Sequence, residues 1–435
     1  MTTVWCDTVI APEGVVHEVR YTVNQSGNVE AIHTGSRPHP EDLVLGAVIG
    51  GAADSHSHAF HRALRGRTHA NGGDFWVWRE EMYKAAAVLE PDTYYSLARA
   101  IFAEMLTAGY TVVGEFHYVH HRSNGAPYPH EMELALVEAA RSVGIRLALL
   151  DTAYLAGGIN QPLSAAQLRF GDGSAERYLE RWYALNEKVE HLGAAIHSVR
   201  AVPPAAILKI AEGLPADVPL HIHLSEQPQE NKDCLDQYGV TPTQLLEEHG
   251  VLTSRLSAVH ATHLSATDID LLGRAGSSIV MCPTTEADLG DGVGPGRELA
   301  NAGATLALGS DQNAVVDPFL EMRGLEMDER LQSGRRGRFT PGEVLHAATG
   351  GGYRSLGWSV PPLHIGGPAD FLEVDTRSIR TLGADLEQLI FAATSADVLR
   401  VLVGGNVVAD RGHLRNGEDP AEIMERALTT LRDRP

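Results

Sequence analysis

Cysteine is nearly absent from this chain of 435 residues: Cys6, Cys234 and Cys282 are odd in number and far apart. That excludes a disulfide framework and a cysteine-rich zinc knuckle, and Cys282, within SIVMCP, reads as a small buried apolar residue. Long apolar runs are missing too. Although 43% of the residues are hydrophobic, nothing approaches the roughly 18 consecutive apolar residues of a membrane span. The opening MTTVWCDTVIAPEG has no basic region followed by an apolar stretch, so the expectation is a soluble, cytoplasmic protein with no membrane partner. Positive charge is in deficit: 35 Lys and Arg against 56 Asp and Glu give a formal charge of -21. This excludes the basic footprint of nonspecific nucleic-acid binding. A field of that sign also repels anions, so a small anionic substrate requires local arginines at its site. Solenoid repeats and low-complexity tracts are absent, and Arg335-Arg336-Gly337-Arg338 reads as a solvated loop.

What is present is an alternation of elements between two β-rich ends. Residues 1–48 read as short strands, VWCDTVI, VVHEVRYTV and NVEAIHTG, separated by Pro12-Glu13-Gly14 and Ser26-Gly27-Asn28. Strand, loop and helix then alternate, as in a parallel sheet covered by helices. Eight apolar strand candidates follow: VLGAVIGG, YTVVGEF, IRLALLD, AAIHSV, VPLHIH, RLSAVH, SSIVMC and TLALGS. Eight is the number a closed (β/α)8 TIM-type barrel requires. In PDTYYSLARAIFAEMLTAG the apolar positions repeat at helical spacing and Gly109 supplies a stop. Thr241-Pro242 opens another helix that Gly250 closes, while Ser265 to Asp268 and Thr340 to Glu343 form capping boxes. Beyond residue 366 the strands return, with ADFLEVD and a hairpin turning at Gly404-Gly405. The expected domains are residues 1–48 and 367–435, pairing into a small β-sandwich, and residues 49–366 as the barrel.

Histidine is the other abundance, with 21 residues, many in short clusters. Asp54-Ser55-His56-Ser57-His58 follows the first barrel strand candidate. Residues i and i+2 of an extended segment point the same way, so His56 and His58 can present two imidazoles to one ion. Alone this pattern is weak. It gains weight because strand five ends in His221-Ile222-His223-Leu224-Ser225-Glu226, strand six in His260 and strand eight in Gly309-Ser310-Asp311. Functional groups of such barrels gather at the C-terminal strand ends. His221 faces the other side of its strand and reads as structural, while His263, three residues past His260, reads as structural or as a support behind the site residues.

Together these groups resemble the amidohydrolase superfamily in its single-metal deaminase form, over residues 48–330. The resemblance implies His56, His58, His223 and Asp311 as metal ligands, with Asp311 taking a water proton, His260 orienting the nucleophile and Glu226 protonating the leaving nitrogen. Binuclear members use a strand-four lysine, whereas this chain's four lysines, Lys84, Lys188, Lys209 and Lys232, lie elsewhere. One divalent metal per chain follows, and zinc suits three imidazoles and a carboxylate. Longer strings, HSHAFHRALRG, FWVWREEMY, EFHYVHH, HSVRAVP, HIHLSEQ and CPTTEADLGDG, are similar to the formimidoylglutamate deiminase family of histidine degradation. That likeness implies hydrolysis of N-formimino-L-glutamate to N-formyl-L-glutamate and ammonia, with His61, Arg79, Tyr118, His197 and Arg200 contacting substrate. Cationic and phenolic donors suit a substrate bearing two carboxylates. The chain departs from the pattern at His61, where a glutamine is expected, and at Gln312-Asn313, where Ser-His is expected. The alternatives are a deaminase of a purine, pterin or triazine, and an inactivated barrel that only binds; a complete proton-transfer set argues against the latter. Oligomeric state is not written in the sequence, and a homodimer is allowed.

Overall fold

The computed structural model describes residues 2–69 and 75–432. Eight parallel strands, Ala52–Ser57, Tyr110–His117, Arg146–Ala153, Leu192–Ile196, Leu220–Leu224, Leu256–His260, Ser278–Met281 and Thr305–Leu308, pair in chain order. Helices connect them, and nearly every strand residue is buried, as a sheet covered on both faces requires. The barrel closes where Ser57 bridges Asp311: Asp311 N donates to His56 O at 2.8 Å and His58 N donates to Asp311 O at 2.9 Å. Asp54 reinforces this seam by accepting Ser310 N at 2.9 Å and Ser310 Oγ at 2.5 Å. The first and last strands are therefore stitched together by the residues that carry the candidate site.

One expectation needs correction. VLGAVIGG is not the first barrel strand. Leu43–Gly50 pairs parallel to Thr2–Ala11 and antiparallel to Phe371–Val374, joining the two chain ends in a second sheet. The chain crosses over at Gly51, whose N–H donates to Asp370 O at 2.9 Å, and the first barrel strand is the polar AADSHS of Ala52–Ser57. Apolar content misplaces it because its polar side chains, Asp54, Ser55, His56 and Ser57, are fully buried at the seam.

The second sheet is mixed and eight-stranded, built from Thr2–Ala11, Gly14–Val23, Val29–His33, Leu43–Gly50, Phe371–Val374, Val398–Val403, Asn406–Asp410 and His413–Leu414. It folds over, since Val29 N donates to Gly367 O at 2.8 Å and Ala369 N to Gly27 O at 2.9 Å, enclosing a core that includes Val4, Cys6, Tyr21, Val48 and Phe371. Its hairpin turns at Gly404 and Gly405, both in the left-handed region (φ 58° and 76°) that a tight two-residue turn demands.

The helix signals hold. Pro91–Ala108 stops at left-handed Gly109, and Ser265, Thr241 and Thr340 each cap the helix that follows through their side-chain oxygens. The three cysteines are free and buried. Among the described residues no helix is long and apolar enough to cross a membrane.

Candidate active site

The C-terminal strand ends bring His56, His58, His223 and Asp311 together. His56 Nε2 and His58 Nε2 each lie 3.4 Å from Asp311 Oδ1, and His56 Nε2 is 3.1 Å from His223 Nε2. Two of the rings are fixed from behind. His58 Nδ1 lies 2.8 Å from Phe116 O and His223 Nδ1 2.9 Å from His197 O. A carbonyl can only accept, so these Nδ1 atoms carry the protons and the opposite Nε2 lone pairs face inward. Burial pushes all three imidazoles below their ordinary range, His58 to about 3, so they are neutral. With His223 Nε2 unprotonated, His56 Nε2 at 3.1 Å can either donate to it or share a cation with it. Three neutral imidazoles and one carboxylate form a donor set suited to a divalent ion.

The groups assigned to proton transfer stand beside this cluster. His260 Nε2 lies 3.8 Å from Asp311 Oδ2, and its Nδ1 donates to Glu286 Oε1 at 3.3 Å. Burial opposes its charge, but the Glu286 hydrogen bond and the nearby Glu226 and Asp311 carboxylates win and raise it to about 10. Glu226 accepts from Arg200 Nη2 at 3.2 Å, and Arg200 Nε lies 3.0 Å from the buried carboxylate of Glu230. Ser225, His260, Ala261, Asp311 and Asn313 all take left-handed backbone, φ 46° to 68°. Non-glycine residues seldom do so, and here the strained positions coincide with the strand ends that aim these side chains.

A cavity of about 560 Å³ opens over the cluster, a size that holds a small ligand. His58, His223, Asp311, Glu226 and His260 reach it, and His61, Arg79, Tyr118, His197 and Arg200 line it as well. Only His56, fully buried, stands behind the lining. Tyr118 Oη lies 3.0 Å from His61 Nε2, and His61 offers a nitrogen within 4.8 Å of ligand atoms on His58 and Asp311. Arg79 lies over the Tyr83 ring, 5.4 Å from its centroid. His221 donates to Ser355 O at 2.8 Å, away from the cavity, as a structural residue does.

Several supporting residues carried no signal of their own in the sequence. Glu286, inside the CPTTEADLGDG string, holds His260 and accepts Cys282 N at 2.9 Å. Asn313 Nδ2 donates to Ser57 Oγ at 3.2 Å, His58 O at 3.1 Å and Asp311 O at 3.2 Å, so it ties the seam where a histidine was expected. Glu115, buried and raised to about 8 mainly by that burial, accepts Ala59 N at 2.8 Å just beyond His58. Acidic residues in apolar strings are ambiguous until the fold gives them partners.

Known proteins match this arrangement over the whole chain. A formimidoylglutamate deiminase of Pseudomonas aeruginosa is 35% identical, with all of both chains covered. A 5-methylthioadenosine/S-adenosylhomocysteine deaminase of Halobacterium salinarum is 27% identical over 97% of this chain and 96% of its own. The crystal structure of an amidohydrolase from Brucella melitensis superposes with a TM-score of 0.93 at 32% identity, covering 99% of this chain and all of that one. The family model described as the amidohydrolase family matches residues 47–408, from the strand that precedes the barrel to the hairpin that follows it. Barrel, seam and strand-end cluster thus share one explanation: the chain belongs to the amidohydrolase family and is a hydrolase of that family.

Proposed function

We propose that the chain hydrolyses the C=N bond of N-formimino-L-glutamate, giving N-formyl-L-glutamate and ammonia. The observation that carries this reading is the composition of one cavity, which joins the His and Asp cluster to Arg79, Arg200 and Tyr118, in a protein whose net charge otherwise repels anions. The full-length likeness to the Pseudomonas deiminase supports it.

His56, His58, His223 and Asp311 would hold a single divalent ion, with zinc the best match to that donor set, and it would supply the lowering of a water's pKa towards neutrality. Asp311 accepts the proton of the attacking water. His260 orients that water and stabilises negative charge as it develops. Counted from the neutral formimino group, water oxygen bonds to the formimino carbon, the terminal nitrogen takes up one proton from Glu226 and the one held by Asp311, and as the C–N bond breaks to release ammonia the remaining C–O–H proton returns to Glu226, leaving the formyl C=O. Arg200 holds Glu226 in place as well as facing the cavity, so it serves both the proton donor and the substrate. Arg79 and Tyr118 hold carboxylate, with His61 and His197 completing the wall.

The competing reading is a heterocycle deaminase, favoured by the aromatic wall of Trp78, Tyr118 and Tyr154 and by the name of the halobacterial relative. The experiment incubates metal-loaded protein with N-formimino-L-glutamate, measures ammonia and identifies the carbon product. N-formyl-L-glutamate is expected. Formamide plus glutamate would mean cleavage of the other C–N bond, and turnover restricted to purines, pterins or triazines would favour the competitor.

A further inference from the structure

Behind Arg79 lies a hydrogen-bond arrangement whose polarity is fixed by one amide. Gln167 sits in the 3-10 turn Ala165–Phe170 that follows the third barrel strand, and it is buried. Its Oε1 accepts Ser164 N at 2.9 Å. That contact sets the orientation of the amide, because a backbone N–H cannot face an NH2 group. Nε2 therefore faces the other way and donates to Tyr154 Oη at 2.9 Å and Tyr83 Oη at 3.1 Å. The site is tightly built: a Cβ on Gly157 would lie 2.9 Å from Gln167 Oε1, and Phe170 packs against both rings, with centroids 5.5 Å from Tyr154 and 6.1 Å from Tyr83.

A phenol has one proton to donate and two lone pairs to accept with. Gln167 fills one lone pair on each tyrosine and leaves both O–H protons to be placed. Even with one hydroxyl donating to the other, one O–H proton would remain, and both tyrosines line the cavity, where an occupant can accept it. Arg79 over the Tyr83 ring adds positive charge on the same side. A donor proton beside a guanidinium selects an anionic acceptor.

We propose that Tyr83 and Tyr154, oriented by Gln167, form a carboxylate subsite in the cavity beside Arg79. Tyr154 packs on His197, with centroids 4.5 Å apart, and His197 in turn packs on His223 at 5.1 Å, so the subsite stands one side chain removed from the cluster. The inference rests on the proposed substrate, a dicarboxylate with its reacting carbon at the other end, and it adds a specificity element beyond the arginines.

The test uses Tyr83→Phe, Tyr154→Phe and the double variant, which keep ring volume and remove only the hydroxyls. With N-formimino-L-glutamate the double variant is expected to lose about ten- to a hundredfold in kcat/KM, carried by KM with kcat nearly kept. The loss should vanish for one of two analogues, N-formimino-2-aminobutyrate, which lacks the side-chain carboxylate, or 4-formiminoaminobutanoate, which lacks the α-carboxylate. Gln167→Leu should reproduce the KM effect by releasing the hydroxyls. A parent-like KM in the double variant, or an equal loss on all three compounds, overturns the subsite while leaving the substrate reading intact. If the parent releases no ammonia from N-formimino-L-glutamate, that reading fails, and glutarate binding by calorimetry decides the subsite. Weaker binding in the double variant supports it; no binding to the parent, or equal binding, overturns it.

Discussion

At the scale of single residues, the neutral imidazoles of His56, His58 and His223 predict a metal stoichiometry. His56→Ala removes one of three nitrogens from a set whose members sit within 4.8 Å of one another, so it should lower bound metal and abolish turnover. Elemental analysis of the active parent should give one divalent ion per chain. A second buried group, His117, His120 and Glu133, has ligand-like spacing but already contains a cation: the Arg181 guanidinium lies 3.3 Å from Glu133, 2.6 Å from Asp151 and 3.2 Å from His120 Nε2. Two metals at full occupancy would refute the single-site reading. Arg79→Met keeps much of the side-chain volume and removes a charge-assisted contact worth about 1.5 to 3 kcal/mol, roughly ten- to a hundredfold in kcat/KM. Metal content should stay at the parent level. Steady-state kinetics beside elemental analysis check both halves, and parent-like kinetics would remove Arg79 from the substrate clamp. Chemistry of this kind is legible in sequence because histidine and aspartate at strand ends announce it. Glu286 and Asn313 are not legible, because a glutamate or asparagine takes its meaning from the partner that folding delivers.

Elements were legible where local physics decides them. Thr241, Ser265 and Thr340 satisfy the open N–H groups of a helix start within three residues, so the cap is readable without any tertiary knowledge. Leu43–Gly50 is ambiguous in sequence because an apolar run has the same appearance in a barrel as in the small sheet, and only its pairing with Phe371–Val374 separates the two. A further local device ties the C-terminal strands to acid stability. Asp397 accepts Thr394 N at 2.9 Å at the turn entering Val398–Val403 and is paired with Arg380 at 2.8 Å. Burial opposes its charge, but the hydrogen bonds from Arg380, Ser378 and Thr394 prevail and lower it to about 2. A carboxyl depressed on folding stabilises the native state above its unfolded value of about 4 and loses that contribution as pH falls through the folded value. Asp397→Asn should therefore be less stable than the parent at neutral pH, with the gap narrowing between about pH 4 and pH 2. Urea midpoints across that window measure it; a constant gap would mean that the pairing of charges is not what Asp397 contributes.

At the scale of the whole molecule, fold and charge pull on the substrate in opposite senses. The barrel places Arg79 and Arg200 at one mouth, while the formal charge of -21 surrounds them with a repulsive potential. The two effects differ in range. Repulsion from the wider surface acts over distances comparable with the Debye length, about 10 Å at 0.1 M salt and about 30 Å at 0.01 M, and is screened readily. Contacts inside the cavity act at hydrogen-bond distance, where screening is weak. Raising ionic strength from about 0.01 M to 0.15 M should therefore relieve the repulsion before it weakens the clamp. For N-formimino-L-glutamate, kcat/KM should rise over that interval, mostly through KM, whereas a formimino compound without carboxylates, a formamidinium cation attracted by the same field, should show a fall. The comparison separates a field effect from a general salt effect on the protein. A fall in kcat/KM for the dicarboxylate over the same interval would mean that the local cations govern approach as well as binding, and that the surface charge has been arranged away from the cavity mouth.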